Sequence, residues 1–327
     1  MLRGVSHASH HSLISILVIA SGPLSSAATA QSFPNRPITV NVSFAPGAPQ
    51  DLVMRAIAEI ASKDLGQPII IDNKPGAAAT LAAAITATAK PDGYTIGTAA
   101  STVVLVPQMQ KVAFDPFKDF TYIQRLAAFP IGVTVKTESP FKSWADVIAH
   151  AKANPGVVTY GTPGPGTNVH LGMERVQKYA GIKLTHVPYT GAVSLIPAVL
   201  GGHIMLQASG MEWKPSVDAG LMRVLVMGTP TRHPSYPDVP TLREAGFPLD
   251  IEVPFGLVGP RGMNPAVVAR LHDAFKKANE VPSIVLLYTK FDIIPRYATG
   301  EDFRKLFETI HADMKPVIEG LGLQRKE

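Results

Sequence analysis

Hydrophobic positions along the chain alternate between short β-rich runs and longer stretches with helical spacing. The first such set predicts strands at 38–44, 68–72 and 94–98 and helices at 49–65 and 78–90. Strands that alternate with helices are typical of parallel α/β layers. The sequence therefore predicts an α/β fold.

A second set with the same alternation begins at a predicted strand, 131–136. Its further predicted elements are helices 143–153, 168–180 and 192–200 and strands 157–160, 183–187, 204–208 and 222–227. After this set come an extended run, 251–258, a helix capped by Asn264 with Pro265 at its first position, and a last helix opened by Thr299, Glu301 and Asp302.

Two extended stretches, 126–135 and 251–258, link one α/β set to the other. We expect them to cross between two lobes and to act as a hinge. Lobe one is then 31–127 plus 253–327, and lobe two is 128–252. Ligand sites commonly lie in a cleft of this kind.

The first thirty residues have the pattern of a secretory signal peptide. Arg3 precedes an apolar core, 13–20, which is too short to span a bilayer, and small residues with an A-x-A pattern lead up to Gln31. We expect cleavage near Ala30/Gln31. Later runs stay short of the roughly 20 apolar residues of a membrane helix, so the sequence predicts an exported, soluble protein.

Composition excludes several kinds of chemistry. The absence of cysteine rules out disulfides, thiolate catalysis and cysteine-ligated metal. The net charge of +5 is spread along the chain without a basic block, which argues against nucleic acid as a partner. Motifs for cofactors or catalysis are missing: Gly164-Pro165-Gly166 fails the dinucleotide fingerprint at its last glycine, and neither G-x-S-x-G nor H-E-x-x-H occurs. We predict no cofactor, no metal and no catalysis, and an exported enzyme remains the main rival.

Two strand-to-helix loops are the candidate ligand sites. The first, 44–51, has small residues and Pro49, which suits a first helical turn; the second, 160–168, is rich in glycine and offers Thr167 or Asn168 as a cap. Each loop would direct the unpaired N–H groups of a helix N-terminus at a bound anion. Because neither loop contains Arg or Lys, a carboxylate there would be bound by the dipoles of the backbone amides and the helix.

Short motifs in a fixed order carry a family resemblance. They are Pro37-Ile38-Thr39-Val40, Phe44-Ala45-Pro46-Gly47, Asn73-Lys74-Pro75-Gly76-Ala77, Pro91-Asp92-Gly93-Tyr94, Asp115-Pro116-Phe117-Lys118-Asp119-Phe120, His186-Val187-Pro188-Tyr189, Leu200-Gly201-Gly202 and Pro237-Asp238-Val239-Pro240-Thr241. In this order, from about Pro34 to Leu321, the chain resembles solute-binding proteins of the tripartite tricarboxylate transporter family, also called Bug proteins.

The resemblance implies a two-lobed periplasmic-binding-protein fold of the Venus-flytrap kind, type II-like, with a hinge of crossing strands. It also implies capture of a small organic acid by the two loops and delivery to the membrane permease subunits of a tripartite transporter. We expect a monomer. A sensory module that presents its liganded form to a membrane receptor would have the same fold and remains an alternative.

The resemblance and the loops together give a predicted set of ligand-contacting residues. They are Phe44, Ala45, Gly47, Ala48, Gln50, Asp51, Ala78, Thr98, Ser101, Gly164, Gly166, Thr167, Asn168, His170, Tyr189, Ser209 and Gly210. For His170 and Tyr189 a packing role is the alternative, and for Asp51 it is ordering of the loop amides. The chain departs from the family pattern at Ala48-Pro49-Gln50, where glycines are usual, and at Ser209-Gly210, where an Asp-Asn pair is frequent.

Overall fold

A computed structural model describes Met1, Gly4 and residues 33–325. The predicted signal peptide therefore lies almost wholly outside the described residues. From Phe33 onward the chain forms one compact unit, and the elements below all belong to it.

Residues 33–325 form eleven strands and ten helices. The strands are β1 Ile38–Val42, β2 Ile69–Asn73, β3 Thr95–Ala100, β4 Phe120–Pro130, β5 Gly132–Lys136, β6 Thr159–Thr162, β7 Thr185–Pro188, β8 Leu206–Ser209, β9 Met222–Met227, β10 Glu252–Pro260 and β11 Ile294–Thr299. The helices are α1 Pro49–Leu65, α2 Leu81–Ala87, α3 Thr102–Met109, α4 Trp144–Ala153, α5 Asn168–Ala180, α6 Leu195–Leu200, α7 Lys214–Asp218, α8 Pro265–Asn279, α9 Pro282–Lys290 and α10 Gly300–Gly320.

The strands form two mixed sheets. The six-stranded sheet has the order β11-β4-β10-β3-β1-β2, and the five-stranded sheet has the order β7-β6-β8-β5-β9. Strands β2, β1 and β3 are parallel, as are β7, β6 and β8. The remaining pairs are antiparallel. The parallel α/β layers expected from the alternation are present in each sheet, but the antiparallel pairs were not predicted, because their partners are distant in sequence and give no local signal.

Each sheet is covered on both faces by apolar helices. On the six-stranded sheet, one buried cluster includes Val40, Ile57 and Phe275, and the other includes Val104 and Phe303. The five-stranded sheet has its own two clusters. Because the helices fix both sheets from both sides, the loops at the strand ends project from rigid layers.

Local start signals predicted several helices well. Pro49 begins α1, Asn264 accepts a hydrogen bond from the Ala266 amide at 2.8 Å, and Thr299 accepts one from the Asp302 amide at 3.2 Å. Helix α2 begins at Leu81 and not at 78, because residues 77–79 have φ between +48° and +63° and form a left-handed turn. Helices α3, α7 and α9 and strand β11 were not predicted.

The chain passes between the two sheets at two places. Ile131 alone separates β4 from β5, and its carbonyl accepts a hydrogen bond from the Gly228 amide at 2.8 Å. Ile251, just before β10, donates its amide to the Gly228 carbonyl at 2.7 Å. The lobe boundaries at 127/128 and 252/253 stay a prediction, and they lie close to these passages.

Candidate functional site

The first loop is held by a buried carboxylate. Asp51 is fully buried and accepts hydrogen bonds from the Gly47 amide at 2.8 Å, Arg55 Nε at 3.0 Å and Asn73 Nδ2 at 2.7 Å. Burial alone would raise the pKa of Asp51, but the hydrogen bonds from Arg55, Asn73 and Gly47 together lower it below its ordinary value. Asp51 is therefore an ionised group that fixes the loop from inside.

The N-terminus of α1 presents two amide donors. Pro49, its first residue, has no N–H, and the Leu52 amide already donates to the Ala48 carbonyl at 3.0 Å. Within residues 33–325, no acceptor is present for the amides of Gln50 and Asp51. These two donors, at the positive end of a seventeen-residue helix, suit an anion.

The second loop is held by hydrogen bonds between its own residues and the first turn of α5. Thr167 caps α5 by accepting from the His170 amide at 3.3 Å and donates its hydroxyl to the Gly164 carbonyl at 2.8 Å. Gly166, at φ +71°, donates its amide to His170 Nδ1 at 3.1 Å. In the described part of the chain, the amides of Asn168 and Val169 are left without an acceptor. The second loop can therefore offer the first amides of α5 to an anion, whereas the Gly166 amide is already used.

A buried polar network supports the second loop. The rings of His170 and His186 stack at 3.9 Å, and His186 Nε2 lies 2.7 Å from Thr162 Oγ1. Glu174 lies 3.9 Å from His170 Nε2 and accepts from the Tyr160 hydroxyl at 2.5 Å. Burial lowers the pKa of His170 to about 4. Burial, and then the neighbouring His170, lower the pKa of His186 to about 4, with Glu174 opposing the shift.

This network predicts acid instability. The folded protein holds both histidines neutral, whereas the unfolded chain binds protons below the ordinary pKa of 6.5. The free energy of unfolding should therefore fall as the pH drops from 6.5 to about 4, by about 3 kcal/mol for His170 alone. Urea unfolding across this range measures it. The His170→Gln/His186→Gln variant should show a shallower fall, and parallel curves for the two proteins would contradict the assignment.

The second loop touches the six-stranded sheet. Asn168 Nδ2 donates to the Glu252 carbonyl at 3.0 Å, at the start of β10. A Cβ placed on Gly166 would lie 2.6 Å from Sδ of Met109, at the end of α3. Helix α3 follows β3, the parallel neighbour of β1. Both candidate loops therefore lie where the carboxyl edges of the two sheets come together.

The remaining predicted contacts lie at the same edge. Thr98 Oγ1 is 3.3 Å from Ser43 Oγ, both being buried beneath the first loop. Ser101 is 1% exposed, and its hydroxyl has no partner among the described residues. Ala78 is exposed within the left-handed turn that follows β2. Ser101 is thus the predicted residue with the clearest unused hydrogen-bonding capacity.

A cavity of about 460 Å³ opens between the N-terminus of α1 and the segment after β8. Its lining residues are Pro49, Gln50, Phe129, Pro130, Gly210, Met211, Glu212, Lys214, Pro215, Asp218, Lys290, Phe291, Asp292 and Ile293. Its volume lies within the usual range for small-molecule sites, about 300–1,000 Å³. In residues 33–325, no cluster of three or more His, Asp and Glu side chains suits a metal ion, and no helix is both long and apolar enough to cross a membrane.

The structure brings some predicted residues together and separates others. Gln50 and Gly210 share the cavity wall, with Ser209 buried beside Gly210. Residues of the second loop lie outside that wall, and the half-buried Tyr189 packs on the apolar cluster of Leu195 and Ile204. Which of the predicted residues touch a ligand stays a prediction.

Sequence reasoning missed the residues that support or line the site. Arg55 could have been found, since it stands four positions after Asp51 on one helix. Asn73 belongs to a recognised motif, but the motif gives no sign of its contact with Asp51. Glu212 and Lys290 carry no sequence signal for the cavity, because they reach it only through the packing of distant segments.

The chain is similar to proteins of one family. A family model described as "Tripartite tricarboxylate transporter family receptor" matches residues 53–323. The chain is 40% identical over 300 residues to the UPF0065 protein in the gbd 5' region of Cupriavidus necator, with 92% of each chain covered.

Solved structures show the same fold. A TctC solute-binding protein from Polaromonas, without ligand, has a TM-score of 0.79 at 29% identity, covering 88% of this chain and 100% of that one. A Rhodopseudomonas palustris protein with adipate has a TM-score of 0.74 at 28% sequence identity, and the match covers 89% of this chain and 98% of that one. MatC from Rhodopseudomonas palustris, with bound malate, has a TM-score of 0.70 at 28% sequence identity, and the match covers 88% of this chain and 100% of that one. The predicted α/β fold of the periplasmic-binding-protein kind is confirmed.

Proposed function

Because the chain belongs to the tripartite tricarboxylate transporter receptor family, we propose that it is an exported solute-binding protein that captures a small organic acid between two lobes. The protein delivers this acid to the membrane permease subunits of a tripartite transporter. The observation that carries the proposal is the cavity at the meeting edges of the two sheets, with the N-terminus of α1 in its wall. The carboxylates bound by the two Rhodopseudomonas palustris neighbours support the ligand class.

In this proposal four amides bind the acid. Those of Gln50 and Asp51 belong to the helix start at the cavity, and those of Asn168 and Val169 on α5 lie outside the cavity wall and reach the acid when the two sheet edges close. Hydrogen bonds to a charged group contribute about 1.5–3 kcal/mol each. Four of them together contribute about 6–12 kcal/mol. Roughly micromolar affinity, about −8 kcal/mol, is reached when the bonds are at the strong end of this range and the cost of association is about 4 kcal/mol. The acid is held by backbone amides at the helix N-termini and not by an arginine side chain, because neither loop contains Arg or Lys.

Ligand release follows from the same arrangement. An acid that bonds to both helices stabilises the conformation in which the two sheet edges are close, and it interacts with one helix only when they separate. A change from mostly open to mostly closed needs a preference of about 5.5 kcal/mol. The two bonds that form only in the closed state supply about 3–6 kcal/mol of this preference. The permease then receives the acid when the lobes are parted.

Isothermal titration calorimetry of the mature chain against mono-, di- and tricarboxylates, aromatic acids and acidic amino acids tests the proposal. We expect at least one acid to bind with a 1:1 stoichiometry and to be recovered chemically unchanged. Conversion of the acid by the purified protein, or no binding across the panel, would overturn the proposal.

Replacing Gly166 by leucine should weaken binding about 50-fold or more, because its side chain would lie against Met109 and displace the amides of α5. Gly181 provides a matched control. It has a similar φ of +63° and nothing within 4 Å of its Cβ position, so Gly181→Leu carries the same backbone strain away from the loop. Gly166→Leu should lose more stability in urea than Gly181→Leu, because only its side chain presses on Met109, so the affinities are compared where both variants are folded. Equal affinity of the two variants for the acid would contradict the role of the second loop.

A further inference from the structure

Glu212 is an unpaired carboxylate in the wall of the cavity. It lies in the single turn Met211–Trp213 that follows β8, and it is exposed to the solvent of the cavity. A Cβ placed on Gly210 would lie 2.8 Å from Glu212 Oε2, so the carboxylate folds back over Gly210. Within the described residues, no cation lies within ion-pair distance of it.

The other acidic groups of the cavity wall already have partners. Asp218 pairs with Lys214 at 3.1 Å, and Asp292 accepts a hydrogen bond from Ser235 Oγ at 2.7 Å. Lys290 lies with its Nζ 5.6 Å from the centre of the Phe291 ring, without a carboxylate in ion-pair range among residues 33–325. Among the described residues of the wall, Glu212 is thus the carboxylate to which no other side chain donates or pairs, and Lys290 is a cation without an ion-pair partner.

An uncompensated carboxylate acts against an acidic ligand. Lys290 attracts a negative group of the ligand. A negative group that comes to lie beside Glu212 is repelled, and in the cavity this repulsion is stronger than in water. Although Glu212 is exposed to the cavity, the surrounding walls keep water away from its carboxylate and raise its pKa, and an interaction with its own backbone amide opposes this shift. A ligand that brings its own cation removes the repulsion and satisfies the carboxylate.

We propose that Glu212 selects, among organic acids, those that also carry a positively charged nitrogen. The carboxylate of such a ligand lies at the amides of Gln50 and Asp51, and its ammonium group lies at Glu212, across the cavity. Gly210 is required for this position of the Glu212 carboxylate, because any side chain at residue 210 would displace it. The inference rests on the proposed function and narrows its ligand class.

Calorimetry with matched acid pairs tests the inference. Each pair has one carbon skeleton with and without the amine: aspartate and succinate, glutamate and glutarate, 4-aminobutyrate and butyrate. We expect the amine-bearing member of the binding pair to be favoured about tenfold or more. In Glu212→Gln this ratio should fall towards one, mainly through weaker binding of the amine-bearing acid. Glu59→Gln, which removes an equal charge from an exposed pair with Lys63 on α1, should keep the original ratio.

The outcomes separate the two proposals. If acids bind but those without an amine bind equally well or better, the inference about Glu212 fails and the proposed function stands. The inference also fails if Glu212→Gln keeps the full preference for amine-bearing acids. It fails as well if the Glu212 carboxyl group is protonated and donates a hydrogen bond to an acid without an amine; binding of that acid would then strengthen as the pH is lowered. If no acid binds at all, the proposed function fails, and this inference fails with it.

Discussion

Replacing Asp51 by asparagine is expected to weaken acid binding about 100-fold and to lower the free energy of unfolding by about 2–4 kcal/mol. Asp51 is fully buried, and both of its oxygens accept hydrogen bonds. An asparagine side chain would place its NH₂ group, a donor, either against the donors of Gly47 and Arg55 or against the donor of Asn73. Because the Gly47 amide then loses its acceptor, the first loop no longer holds the amides of α1 in place.

The same substitution at Asp72 serves as the control. Asp72 lies on the adjacent strand β2 and forms an exposed pair with Lys74 at 3.0 Å. Exposed pairs contribute at most about 1 kcal/mol, so Asp72→Asn should leave both stability and binding close to those of the unchanged protein. Urea unfolding and calorimetry measure the two effects. Wild-type affinity in Asp51→Asn would show that the first loop plays no part in holding the acid.

Replacing Glu252 by glutamine should cost about 3–5 kcal/mol of stability, the largest effect expected on folding. Its carboxylate pairs with Arg125, and Arg296 Nε lies 3.7 Å from the second oxygen. The side chains of Arg125 and Glu252 are only 11% and 13% exposed. Neutralising Glu252 leaves two guanidinium groups with little access to water and no counter-charge beside the passage between the sheets.

Two further variants isolate this charge effect. Glu308→Gln removes a carboxylate from an exposed pair with Arg304 on α10 and should cost less than about 1 kcal/mol. The double variant Glu252→Gln/Arg125→Met should recover part of the loss, because one of the stranded charges is removed with its partner. If Glu252→Gln unfolds at the same urea concentration as Glu308→Gln, the interactions of Glu252 with Arg125 and Arg296 do not stabilise the passage between the sheets.

Local signals explain which elements could be predicted. Pro49, Thr167, Asn264 and Thr299 mark helix starts through their own backbone or side-chain chemistry, which acts over one turn. Helix α3 gives no such signal, since its run of Val103, Val104, Leu105 and Val106 is buried on all sides and lacks a polar face. An apolar run of this length cannot be assigned to helix or strand by periodicity.

The sequence by itself determined the α/β alternation, the two strand-to-helix loops and the family, because each follows from residues that are close together or occur in a fixed order. Only the tertiary structure decided the antiparallel strand pairs, the buried contacts of Asp51 and Glu252, and the cavity with its unpaired Glu212. These depend on segments that are up to about 240 positions apart, such as Gln50 and Lys290 in one cavity wall. Contacts of that kind are set by how the layers pack, and no local pattern of residues encodes them.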